Sequence, residues 1–147
     1  MNVRRVRQLA AYGVVLATAV ASFPTVAAAG GRPLDATLVG IEEEPGPGDH
    51  DGSGTFAMTV NPGQEEICYT LEVADIDPAR AAHIHRGEFG VAGPVVVPLA
   101  APSDGSSEAC TTVARELALE IIRSPEEFYV NVHNQAFPGG AIRGQLG

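Results

Sequence analysis

The chain has no tryptophan, and its five phenylalanines and three tyrosines supply only 5% of 147 residues. So few aromatic side chains argue against a base-stacking platform for single-stranded nucleic acid. Positive charge is equally scarce, with nine basic residues against 18 acids and a formal net charge of −9. Such a surface repels phosphate backbones and anionic membranes. There is no Gly-x-Ser-x-Gly elbow, and Ser53, Ser106 and Ser107 lie in Gly- and Pro-containing stretches without a partnered base. Both features argue against a serine hydrolase. Asp49-His-Asp-Gly-Ser-Gly54 starts like a calcium loop, but Val60 stands where the twelfth position requires a bidentate glutamate, which excludes an EF-hand. Looser Ca²⁺ binding by residues 42–51 competes with a plain solvated turn there.

Long apolar runs are also missing. Residues 9–23 form an almost unbroken apolar stretch, shorter than the roughly 20 residues that span a bilayer. A basic start containing Arg4, Arg5 and Arg7 precedes it, and Ala27-Ala-Ala29 follows with small residues at the cleavage spacing. This pattern predicts a removable secretory signal over residues 1–29 and an exported domain over residues 30–147, with no membrane span in the mature form. Arg4-Arg5 leaves the general secretory and twin-arginine routes both open. No cysteine at the cleavage site suggests a lipid anchor. Loss of the three leader arginines leaves six arginines against 18 acids, a charge of −12. The expected location is the cell-envelope exterior or the medium. Cys68 and Cys110, the two cysteines, are then expected to form a disulfide, the competing arrangement being two free thiols on a metal.

Alternating apolar residues predict strands over 34–41, 55–60 and 67–73, separated by the acidic Pro/Gly loop 42–54 and by Asn61-Pro-Gly63. Further strands are expected at the His83-Ile-His85 segment, over 95–99, 109–113 and 128–133, and at the C-terminal end. Residues 114–123 favour a helix by propensity. Ser124-Pro125-Glu126-Glu127 has the form of an N-cap with proline at N1. Seven to eight short antiparallel strands with one helical insertion make an all-β fold, an immunoglobulin-like or Greek-key β-sandwich.

Two segments carry the chemistry. Ala82-His-Ile-His-Arg-Gly87 continues through Gly90 and Gly93-Pro-Val-Val-Val-Pro-Leu99; later come Tyr129-Val-Asn-Val-His-Asn134 and Pro138-Gly-Gly-Ala-Ile-Arg-Gly-Gln-Leu146. Together they resemble the CHRD domain, first described in chordin and also found in exported bacterial proteins, over residues 34–146. The resemblance implies a strand-rich, immunoglobulin-like domain and brings no established biochemical activity. Asn134 and Ala141 depart from it, since family members often carry Thr and Glu there. The growth-factor binding of chordin does not transfer, because the cysteine-rich modules that accompany the domain there are absent.

Read without the family, residues two apart on a strand share a face, so His83 and His85 stand side by side. If Ile84, Val130 and Val132 point into the core, then Tyr129, Asn131 and His133 point the other way. Were the two strands neighbours, His83, His85 and His133 would converge, with Asn131 and Tyr129 around them. Three imidazoles suit copper or zinc and leave a coordination position open. The competing role for these imidazoles is to hydrogen-bond backbone and fix the Gly-rich turn after Arg86. His50 in the acidic loop is expected to be solvated. Arg86 and Arg143 are expected to form structural ion pairs with carboxylates such as Glu88 or Glu72.

The expected function is therefore a binding or structural module holding a metal ion, rather than an enzyme. A first alternative is a small copper-dependent redox enzyme, since His-Ile-His followed by Gly87-Glu-Phe-Gly90 is similar to the first copper-ligand pair of copper/zinc superoxide dismutases. The chain has no histidine between His85 and His133 for a zinc loop or bridging ligand. A second alternative is an acidic envelope module that holds an extracellular protein or glycan without metal, through Glu42, Glu43 and Glu44.

Overall fold

The computed structural model describes residues 30–147, so the expected export signal lies outside the described residues. Period-two alternation builds the first half of the sheet. β1 (Arg32–Val39) buries Leu34, Ala36 and Leu38; β2 (Ser53–Asn61) buries Phe56, Met58 and Val60; β3 (Glu66–Ala74) buries Ile67, Tyr69 and Leu71. The intervening threonines and acids face outward, as a half-buried antiparallel strand requires. The chain continues through β4 (Ala81–Arg86), β5 (Val95–Leu99), β6 (Ser106–Thr112), α1 (Arg115–Arg123), β7 (Phe128–His133) and β8 (Ile142–Gln145).

All eight strands are antiparallel to their neighbours, in the order β5-β4-β7-β8-β1-β2-β3-β6. Among the described residues they form one nearly closed, barrel-like sheet with one short α-helix, which agrees with the all-β expectation. The seam between the two four-stranded halves is narrow. Val39 opposite Arg143 is its one ladder position, supplemented by reciprocal backbone bonds between Asp35 and Gly147 at 3.2 and 3.0 Å. One core fills the space between the halves, uniting Leu38, Phe56 and Leu71 with Ile84, Val97, Val130 and Ile142. α1 adds Ala118 and Ile121 to it.

Several details differ from the sequence pattern. β6 begins at Ser106 rather than 109, because its ladder with β3 extends to the Ser106–Glu72 pair; an edge strand with one open side tolerates polar residues. Pro125–Glu127 forms a single 3₁₀ turn, and the Ser124 side chain makes no capping hydrogen bond. The acidic loop after β1 is not uniformly solvated. Asp49 N donates to Ala141 O at 2.7 Å and Gly48 N to Gly40 O at 3.0 Å, which draws the loop onto the start of β8.

Cys68 and Cys110 sit directly opposite each other on β3 and β6 and are joined by a disulfide, so neither offers a free thiol to a metal. The bond fastens an edge strand and is consistent with a location outside the cytoplasm. A crosslink closing about 40 residues is worth roughly 3–4 kcal/mol in the chain-entropy model. Reduction, or the Cys68→Ala/Cys110→Ala double variant, is expected to lower the unfolding midpoint by a corresponding amount in urea or heat. An unchanged midpoint would contradict that role.

Candidate metal centre

The register of three adjacent strands assembles the site. β4 pairs with β7 so that His83 faces Asn131, His85 faces Tyr129 and Ala81 faces His133. β7 pairs with β8 so that Asn131 faces Arg143 and Tyr129 faces Gln145. Alternation then puts His83 and His85, Tyr129, Asn131 and His133, and Arg143 and Gln145 on one face. Ala82, Ile84, Val130, Val132 and Ile142 go to the core on the other. His133 thus lies diagonally beside His83, two residues along β7 from the residue that faces it.

The three imidazoles converge. One ring nitrogen from each of His83, His85 and His133 lies within 4.8 Å of the others. His83 Nδ1 is 3.1 Å from His133 Nε2, a separation compatible with two nitrogens each ~2.0–2.1 Å from one ion. His50 is exposed on the acidic loop and stands outside the group.

Backbone carbonyls orient two of the rings. His85 Nδ1 donates to Gly93 O at 2.8 Å, which leaves its buried Nε2 without a hydrogen-bond partner. His133 Nδ1 lies 3.1 Å from Pro138 O, while its Nε2 lies 3.0 Å from Asn131 Oδ1. A neutral imidazole has one N–H, so it can satisfy one of these two oxygens and must turn a lone pair toward the other. Burial lowers the pKa of His133 and, with the neighbouring imidazoles His133 and His85, that of His83. Both rings are therefore neutral at neutral pH, the state in which imidazole binds a metal.

The residues around the group do not all sit as the sequence suggests. Tyr129 is buried, stacks on His85 at 4.7 Å with an interplanar angle of 10°, and accepts a hydrogen bond from Gly93 N at 3.1 Å. Arg86 pairs with Glu120 of α1 rather than with Glu88 or Glu72; its Nη2–Oε2 distance is 2.9 Å. Arg143 is fully buried and meets the backbone oxygens of Glu88 and Val91 instead of a carboxylate. The ion-pair expectation is thus corrected in partner for Arg86 and in kind for Arg143.

Glu43, expected on an outward acidic face, turns inward instead. Its neighbours Glu42 and Glu44 remain partly or fully exposed, but Glu43 is 2% exposed, so the three acids do not form one outward acidic face. Its Oε1 accepts from Glu44 N at 3.2 Å and its Oε2 has no hydrogen-bond partner. Gly140, at φ +146°, makes room for it: a Cβ there would lie 2.1 Å from the Glu43 carboxyl carbon. Burial raises the Glu43 pKa to about 7, offset in part by the Glu44 N–H, the Asn131 side chain and the Arg143 charge. Three consecutive glutamates after a strand carry no sign of which one turns inward.

That shift has a definite sign. The unfolded carboxyl titrates near 4.5 and the folded one near 7, so folding takes up a proton between them and stability falls as pH rises through this window. The full loss, above pH 7, is about 3 kcal/mol at ~1.4 kcal/mol per pKa unit. Glu43→Gln is expected to exceed wild type in stability at pH 8, with the difference closing toward pH 5 in denaturant titrations. Parallel pH profiles would contradict it.

Comparison with known proteins gives one family match. The CHRD domain model matches residues 34–146, which takes in every strand from Leu34 of β1 onward and all three histidines. No curated protein and no solved structure matches the chain. With the match spanning most of its length, the chain belongs to the CHRD domain family.

Proposed function

We propose that this protein is an exported CHRD-domain module that binds a transition metal ion of the copper or zinc class through His83, His85 and His133. The observation that carries this is the buried, unpartnered Nε2 of His85, held by the Gly93 carbonyl on the same face as the two other imidazoles. A polar atom buried without a partner costs about 1–3 kcal/mol, and a ligated cation removes that cost. Neutral imidazole is a favoured ligand for both copper and zinc. Carbonyl hydrogen bonds to the opposite ring nitrogens are the usual means of fixing ligand orientation.

Asn131 supports the group from the centre of the face, its Oδ1 turned to His133 and its amide drawn toward Glu43. With three protein nitrogens, one or more coordination positions are left for water or for a donor from another molecule. We place the working protein outside the cytoplasm, where a disulfide persists. Its role there is binding, with the acidic surface keeping the domain soluble and attracting cations.

Metal titration of untagged protein against a competing chelator tests the function. Wild type is expected to take up one Cu²⁺ or Zn²⁺ per chain. His83→Ala and His133→Ala are each expected to lose about 100-fold or more in affinity, while His50→Ala is unchanged. Bound metal should also raise the thermal midpoint of wild type, since a ligand at 100 times its Kd adds about 2.7 kcal/mol. Equal, negligible uptake by wild type and both site variants would refute metal binding.

A further inference from the structure

Residues 87–94 join β4 to β5 without regular structure, yet their backbone is held from below at several points. Arg143 donates to Val91 O at 3.0 Å and to Glu88 O at 2.9 Å, and Gln145 donates to Gly87 O at 2.7 Å. Gly93 receives the His85 ring on its oxygen and gives its N–H to the Tyr129 hydroxyl. A side chain at Gly93 is impossible in this arrangement, because a Cβ would lie 1.6 Å from Arg86 O. The side chains that hold the loop come from β4, β7 and β8, the strands that form the histidine face.

Three of these side chains also form a column across the strands. The Arg143 guanidinium carbon lies 3.5 Å from the centre of the Tyr129 ring, and the Tyr129 ring stacks on His85. Arg143 comes from β8, Tyr129 from β7 and His85 from β4, in that spatial order. Burying a cation without a directly bonded carboxylate is costly. What the burial achieves is a fixed loop and a fixed aromatic ring, both of which bear on His85.

We infer that Arg143 is a positioning residue of the histidine group, acting through Tyr129 and the Gly93 carbonyl to set the ring of His85; this rests on the metal-binding function proposed above. Gly93 O can only accept, so the clamped loop keeps the His85 proton on Nδ1 and leaves the buried Nε2 bare, free to act as a ligand. A lysine cannot replace the arginine. A single ammonium lacks the planar fork that reaches both the Glu88 and Val91 carbonyls while lying flat on Tyr129.

The test combines nitrogen-15 NMR of the histidine rings in metal-free protein with Cu²⁺ and Zn²⁺ titration, on wild type and Arg143→Lys. In wild type, His85 is expected as the single Nδ1–H tautomer. In the variant it should become a mixture, with metal affinity reduced about tenfold or more, the usual effect of losing a residue that orients a ligand. Wild-type His85 protonated at Nε2, or a variant that keeps both the wild-type tautomer and the wild-type affinity, would overturn the assignment. Should the variant fail to fold, the wild-type Arg143 Nη protons decide: slow exchange with solvent supports the clamp, and fast averaged exchange overturns it. If neither protein takes up metal while the variant's His85 tautomer shifts, the positioning role stands and the metal-binding function falls.

Discussion

Antiparallel pairing of β4 with β7 is the contact on which the site depends. A one-residue slip would send Ile84 outward and His83 and His85 into the core, because side chains alternate strictly along a strand. Two constraints prevent it. Ile84, Val130 and Val132 are completely buried in the common core, so their face is fixed by the hydrophobic effect. β8 then reads the same register from the other side, placing Arg143 beside Asn131 and Gln145 beside Tyr129. The histidine group is therefore a by-product of core packing in position, though not in chemistry. The core decides which face the rings take, and the residues on that face decide how they are turned.

Those face residues form an arrangement with more acceptors than protons. Carbonyl oxygens meet both nitrogens of His133, and His85 keeps one nitrogen buried and unbonded. Proteins ordinarily satisfy buried polar atoms, so the unbonded Nε2 of His85 calls for an explanation, and a bound ion is one. Protonating the rings does not resolve it, since burial and mutual repulsion hold His83 and His133 below the ordinary histidine pKa. An ion bearing two positive charges at the centre of the group, as proposed above, would resolve it. Beneath, Asn131 joins this centre to the buried Glu43, and Arg143 supplies a permanent positive charge.

Most of the fold could be read from period-two alternation, since Leu34, Ala36 and Leu38, or Phe56, Met58 and Val60, leave little freedom of register. The histidine face was legible for the same reason: His83 and His85 flank Ile84, as Asn131 does between Val130 and Val132. What alternation does not contain is strand order. That β4 lies beside β7, rather than across the barrel from it, depends on contacts some 50 residues apart. The inward turn of Glu43 was hidden by its place among three glutamates and became visible only through the space above Gly140. The sequence suggests an ion pair for Arg143 because its true partners are main-chain oxygens, which sequence does not distinguish.

X-ray absorption at the metal edge, on protein loaded with one equivalent of Cu²⁺ or Zn²⁺, bears most directly on the central claim. The account predicts a first shell with three imidazole nitrogens at ~2.0–2.1 Å, identified by the outer-shell scattering of their rings. A shell of oxygens alone, or one lacking the three-imidazole signature, would contradict it.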